Sequence, residues 1–318
     1  MLFRSCYVRW QDLIEKARPD IVVIATPPDS HREIALAAFP AGAHVLCEKP
    51  LAMNANEANE MAKAATAAGK FGMTGFTWRS PDAMQEMHVR LARGDIGRVI
   101  HASALWHGGF AADEKAPGTW RMHRARAGHG AMGDIGVHLI DLLRWNLGEI
   151  VRLSARTGVA YPNRIAPGAT GPADADDHCA LILEFASGAI VTADISRVAH
   201  GMNEHSLEIF GTRGGLAYRL ARSEPRWFDG QLRATAGAGA PLAPVDTPSS
   251  KIPTSATDPM EIMGKTLMAP LVARLLDGIR TGKAPSPSFE DGLRAQIVLD
   301  AIVESNTRLA WVDIKERK

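Results

Sequence analysis

One stretch constrains this chain more than any other. Asp20-Ile21-Val22-Val23-Ile24-Ala25 is a continuous β-branched run of the kind buried on both faces of a parallel sheet. Thr26-Pro27-Pro28-Asp29 ends it, and Ser30 to Ala41 then reads as helix. His44 to Cys47 is a second short strand, and Asn54 with Glu57 three residues on forms a capping box opening a helix to Ala68. Phe71 to Phe76 is a third strand, and Gln11 to Ala17 is a helix leading into the first. Antiparallel neighbours need only a tight turn, whereas strands separated by whole helices need crossovers. The first 77 residues are therefore expected to form βαβ units on a parallel sheet.

The pattern changes after Pro81. A helix to about Arg93 is stopped by Gly94-Asp95-Ile96-Gly97, and strand signals dominate from Val99 onward. One helix, Asp134 to Leu147, interrupts them. Val151 to Val159, Cys179 to Phe185, Ala189 to Ile195 and Ser206 to Phe210 are strands, with Ser187-Gly188 as a hairpin turn. Gln231 to Thr257, rich in Ala, Gly, Pro and Ser, reads as a mobile loop, and helices at Gly264 to Arg280 and Glu290 to Leu309 close the chain. The expected fold class is α/β plus α+β, divided at residues 77 and 78, with a large, mostly antiparallel open sheet in the second part.

Composition narrows the function. Thirty-six basic residues face 35 acidic ones, so no net field draws in nucleic acid or an anionic membrane. No apolar run approaches the ~20 residues of a membrane span. Cys6, Cys47 and Cys179 are odd in number and far apart, which fits a reducing compartment, and the cytoplasm is expected.

Three local features could carry chemistry. Glu48-Lys49-Pro50 and Thr26-Pro27-Pro28 each follow a strand of the parallel sheet, the end where such sheets bind ligands. Alone, the first is equally a solvated pair and the second a plain turn. The third is Gly133-Asp134-Ile135-Gly136-Val137-His138-Leu139-Ile140-Asp141. Asp134 and His138 lie four apart on one helix face, so a near-neutral imidazole and a carboxylate could serve one hydroxyl. The plain alternatives are a helix cap for Asp134 and a packed core ring for His138. Gly128-His129-Gly130-Ala131-Met132-Gly133 matches the dinucleotide fingerprint in letters. The basic run Trp120 to Ala127 before it cannot be a central strand, so it reads as a flexible loop. His101, His107, His123, His129 and His138 lack zinc-motif spacing, so no metal is expected.

Taken in order, these motifs resemble the glucose–fructose oxidoreductase, inositol dehydrogenase and rhizopine-catabolism (Gfo/Idh/MocA) family. The match includes His31, Trp120-Arg121, Phe210-Gly211-Thr212-Arg213-Gly214 and Phe289-Glu290-Asp291-Gly292 as well as the segments above. The resemblance implies a Rossmann domain at 1–77 and an α+β substrate-binding and oligomerisation domain at 78–318. It implies NAD or NADP as cofactor, with hydride transfer to or from a secondary alcohol of a sugar or inositol. Lys49, Asp134 and His138 would be catalytic. Thr26, Pro27, His31, Glu48, Lys49, Trp120 and Arg121 would line the cofactor, and Lys49, Arg79, His107, Asp134 and His138 would bind substrate. Trp106, His123 and His129 would complete the lining. A homo-oligomer, dimer or tetramer, would form through the open sheet.

The family's opening strand, glycine-rich turn and helix have no counterpart before Asp20. A truncated dinucleotide domain of impaired activity is therefore expected, with Gly-x-Gly-x-x-Gly encoded upstream and one apolar edge of the sheet exposed. The competing reading is a cofactor- or sugar-sensing regulator of the same fold that turns nothing over.

Overall fold

The computed structural model describes residues 5–164, 171–222, 228, 230–235, 237, 239–248 and 258–314. Helix α1 (Trp10–Asp12), prolonged by a π-helical turn at Leu13–Ala17, leads into strand β1 (Ile21–Ile24). Then come α2 (His31–Ala38), β2 (His44–Cys47), α3 (Ala55–Ala67) and β3 (Gly72–Thr74). The three strands pair in parallel in the order β1-β2-β3, as the crossover argument requires. Among the described residues β1 is the outer strand, and Val23 on it is 61% exposed. β3 is shorter than Phe71 to Phe76 because its free edge turns to the chain before the last helix, where Thr74 N–H donates to Pro287 O.

Asn54 caps α3 by accepting from Glu57 N–H at 3.0 Å, while the Glu57 carboxylate reaches back to Met53 N–H at 3.2 Å. The cap satisfies donors that a helix start otherwise leaves open. Asn54→Ala is expected to cost about 1 kcal/mol, and Asn54→Gly only a few tenths. Thermal melts of the two variants check the difference.

Helix α4 (Asp82–Ala92) ends at Gly94 and Gly97, both with positive φ, and β4 (Val99–Gly108) follows. Next are α5 (Arg124–Ala127), α6 (Val137–Leu147), β5 (Ile150–Gly158), β6 (His178–Phe185), β7 (Ile190–Ser196), β8 (Asn203–Gly211) and β9 (Gly215–Ala221). The chain continues through β10 (Gln231–Thr235), β11 (Ala243–Val245), α7 (Pro259–Met263), α8 (Ala269–Thr281), α9 (Phe289–Arg308) and β12 (Val312–Asp313). The second sheet runs β11-β10-β9-β8-β4-β7-β6-β5-β12, antiparallel except for the β4–β7 pair.

The expected loop at Gln231 to Thr257 is corrected in part. Gln231 to Thr235 pairs with β9, and Ala243 to Val245 pairs with Gln231 to Thr235 in turn. Leu232 is the reason: it alternates with polar neighbours and buries itself. Residues 236, 238 and 249–257 of that stretch lie outside the described ones.

One face of the large sheet packs on α6 and α9 through residues such as Leu139, Leu143, Val298 and Leu299. The other face is open, leaving Ile182 and Ile190 exposed. The last two long helices also return to the small sheet. Phe289 and Leu293 join Ile34, Phe39 and Met61 on one face, and Leu271 and Leu275 join Leu46 and Met73 on the other. The two halves of the chain therefore share one packed body. Among the described residues no helix is long and apolar enough to cross a membrane.

Arg79 ties that body together. It is 2% exposed, donates to both oxygens of Asp141 (2.8 and 2.5 Å) and reaches Asp291 (3.0 Å) and Ser286 Oγ (2.9 Å). The substrate-binding role expected of it is corrected: four of its five N–H bonds are committed to two carboxylates and a hydroxyl in the interior.

Candidate active site

The site forms where the small sheet's strand ends meet the start of α6. Ala25, Thr26, Pro27 and Pro28 come from the end of β1, and Glu48, Lys49 and Pro50 from the end of β2. The opposite wall is Trp120, Arg121, Ala127, His129, Gly130, Gly133 and Asp134. Together they line a cleft of about 310 Å³. This is the crevice in which open parallel sheets bind ligands.

Lys49 is the focus. Its Nζ donates to the Asp134 backbone carbonyl at 2.6 Å and sits 3.4 Å from Asp134 Oδ1, and the Lys49–Pro50 bond is cis. An ammonium has three N–H bonds, and Asp134 engages two. The third is available to an oxygen in the cleft, and the side chain is 18% exposed. Arg121 stacks over Trp120 (4.5 Å) and lies 3.9 Å from Asp134 Oδ1. Asp134 is presented by a π-helical turn, Met132–Gly136, before α6 begins. It does not cap the helix, which corrects the plain reading of that residue. Such wide turns recur at functional sites because they free a carbonyl from the helical ladder.

The glycine-bearing loop that reads as flexible is instead a fixed wall. The Asp176 carboxylate accepts from Gly130 N–H (2.9 Å) and Met132 N–H (2.8 Å). A Cβ on Gly130 would overlap the Asp176 backbone. Gly130→Ala is therefore expected to destabilise the protein and weaken ligand binding together, by about 2 kcal/mol or more in stability. Denaturant melts and cofactor titration check this. The preceding segment is the short helix α5, not a strand, so the dinucleotide fingerprint is rightly set aside.

His138 lies behind this wall rather than in it. Its ring is 6% exposed and stacks on Trp106 (5.6 Å), with Phe76 and Trp78 edge-on at 6.1 and 6.3 Å. Burial, then the Lys49 ammonium, then His205 and Arg222, hold its pKa well below that of free imidazole. The ring is neutral, and its Nδ1 has no hydrogen-bond partner among the described residues. His205 stacks on the other contact of Trp106 at 4.1 Å and is likewise held well below its ordinary value, chiefly by burial. Arg222 lies over Trp78 and Trp106, and burial pushes it down to about 10.

Both rings titrate near 6.5 when the chain unfolds and lower when it is folded. Below pH 6.5 the unfolded chain therefore binds more protons, and stability must fall as pH drops. The slope approaches about 1.4 kcal/mol per pH unit per ring. His205→Phe should flatten the loss, as read by urea midpoints between about pH 7.5 and about pH 5.5.

Four further residues expected at the site are corrected by position. His31 is buried and absent from the cleft lining. Its ring nitrogens face the carbonyls of Thr26 (2.8 Å), Pro50 (3.1 Å) and Leu51 (3.3 Å), so it pins the two strand-end turns together. His107 alternates with Trp106 on β4 and so points to the open face, against Asp194 at 2.5 Å. His123 and Trp106 are also absent from the cleft lining, whereas His129 belongs to it. Sequence reasoning missed Asp176, His205 and Arg222. The acidic run Asp174-Ala175-Asp176-Asp177 could have flagged the first; nothing local marks the other two.

A strand-end crevice rich in donors, walled by an indole and floored by glycine backbone, suits the nicotinamide end of a dinucleotide. Thr26, Pro27, Glu48, Lys49, Trp120 and Arg121 are the residues that would hold it. A parallel nucleotide-type sheet opening onto a lysine–carboxylate cleft defines an α/β oxidoreductase. Comparison with known proteins gives the family. Residues 3–76 match the model of the oxidoreductase family's NAD-binding Rossmann fold, and residues 84–217 match the GFO/IDH/MocA C-terminal domain. The chain is 30% identical to levoglucosan dehydrogenase of Pseudarthrobacter phenanthrenivorans over 343 aligned positions, covering 99% of this chain and 85% of that one. It is 34% identical to 1,5-anhydro-D-fructose reductase of Ensifer adhaerens over 66% of this chain and 60% of that one. The structure of levoglucosan dehydrogenase with NADH and levoglucosan superposes with a TM-score of 0.89 at 30% identity, over 99% of this chain and 85% of that one. The chain belongs to the GFO/IDH/MocA family. It is an oxidoreductase that uses NAD(P).

Proposed function

We propose that this chain oxidises or reduces a secondary alcohol of a sugar, anhydrosugar or related polyol in the cleft between Lys49 and Asp134. The observation that carries the reading is the Lys49 ammonium, anchored on Asp134 with one N–H bond left for a ligand oxygen. When bound, nicotinamide supplies the acceptor or donor of the hydride at the alcohol carbon. Lys49 stabilises negative charge as it develops on the substrate oxygen, an effect strengthened where water is excluded. Asp134 fixes the ammonium, so little reorganisation is needed. The Asp134 carboxylate, which lines the cleft beside Lys49, takes the hydroxyl proton, while His138 packs behind the wall and supports it. Thr26, Pro27, Glu48, Trp120 and Arg121 hold the cofactor around that point, the first 77 residues supplying one wall and residues 78–318 the other.

The test is nicotinamide absorbance with levoglucosan, inositols and aldoses, using NAD and NADP separately. Turnover that Asp134→Asn lowers by about 10²-fold or more supports the assignment. Tight sugar binding without turnover under any condition points to the sensor reading. The open sheet face with Ile182 and Ile190 would pair two copies, and sedimentation velocity reads that directly. The three free cysteines, Cys6, Cys47 and Cys179, support a reducing compartment such as the cytoplasm.

A further inference from the structure

A second cavity, of about 340 Å³, lies away from the cleft. It is an open groove lined by α8, the turn after it with the exposed Lys283, and the residues Arg79, Gln85 and Trp145. We propose that it binds a phosphate-class oxyanion, held by Arg274, Lys283 and Ser286.

The argument is one of charge left over. Three cations line the cavity, Arg79, Arg274 and Lys283, against one carboxylate, Asp277. Asp277 is committed to Arg280 at 2.6 Å, and Arg79 is already neutralised by Asp141 and Asp291. Arg274 and Lys283 remain, and among the described residues neither has an ion-pair or hydrogen-bond partner. Arg274 is half-buried on α8, and burial with the nearby Arg79 charge lowers its pKa. A partly desolvated guanidinium without an anion is costly, and a ligand anion removes that cost.

The donor geometry favours phosphate over a simple carboxylate. Ser286 Oγ accepts from Arg79 Nη1, which leaves its own hydrogen free to donate. A guanidinium fork, an ammonium and a hydroxyl then line one groove in which Arg274 and Lys283 have no carboxylate of their own, an arrangement that a tetrahedral oxyanion matches. The cavity is built rather than incidental. Gly278 lets the turn lie against α8, and a Cβ there would come 2.8 Å from Lys283 O. Trp145 supplies an apolar wall, so the space admits a phosphate monoester as well as the free ion.

Calorimetric titration of the full chain with inorganic phosphate and with glycerol 3-phosphate, at ionic strength held constant with chloride, tests the site. Saturable binding that weakens at least about tenfold in Arg274→Gln, less in Arg274→Lys, and not at all in Lys49→Ala is the expected result. The last variant separates this cavity from the cofactor cleft. Tighter binding of glycerol 3-phosphate than of phosphate supports an organic ligand, and the reverse supports the free ion. Binding equal in wild type and a folded Arg274→Gln chain overturns the proposal, as does phosphate binding no tighter than chloride. A normal far-UV spectrum and melting temperature establish that the variant is folded.

Discussion

Replacing Lys49 by alanine is expected to lower kcat/KM by about 10²- to 10³-fold with little change in melting temperature. The size follows from what the ammonium does. It is the donor that the cleft aims at a ligand oxygen, held by Asp134 at 2.6 and 3.4 Å. Removing one preorganised donor from an oxyanion site costs roughly 3–4 kcal/mol of transition-state stabilisation. The same side chain is part-exposed and its pair with Asp134 contributes little to folding, on the order of 1 kcal/mol or less. Activity and stability should therefore separate. Steady-state kinetics beside a thermal melt reads both.

The opposite separation is expected at Arg79. Arg79→Met leaves Asp141, 2% exposed, without its bidentate partner and frees Asp291 and Ser286 as well. Breaking a buried pair from one side costs about 3–5 kcal/mol, because a charge is left in the interior. Burial already raises the Asp141 carboxyl against the pull of Arg79, so without that pull it rises further. A fall in melting temperature on the order of 10 °C is expected. Well below that temperature, KM for the sugar should stay within about twofold, since Arg79 belongs to no cleft wall. A large rise in KM without destabilisation would restore the substrate-binding role that the sequence suggested for it.

Arg79 also shows where reading the chain in one dimension stops. The strand at Ile21 to Ile24 and its neighbours were legible because β-branched runs between helices admit one kind of sheet. The helix starts near Asp82 and Phe289 followed from proline and apolar spacing, whereas the helix expected from Asp134 becomes α-helical only at Val137. Lys49 and Asp134 were legible as motifs at a strand end and a helix start, and they do meet. Three things were not. Residues such as Arg79 and His31 are polar and look available until their distant partners, Asp291 or Leu51, are placed beside them. Alternation on β4 sends His107 and Trp106 to opposite faces, and the sequence alone does not say which face covers the site. The i, i+4 spacing of Asp134 and His138 assumes an α-helix, whereas a π-helical turn carries Asp134. That turn leaves the carboxylate on the cleft and the imidazole behind it.

The most direct measurement is a crystal structure of the chain with NADH and levoglucosan. The nicotinamide is expected between Trp120 and the Thr26–Pro27 turn, with a sugar hydroxyl accepting the third Lys49 N–H bond. Nicotinamide or sugar bound outside this cleft, with Lys49 still engaged only by Asp134, would contradict the assignment of hydride transfer to it.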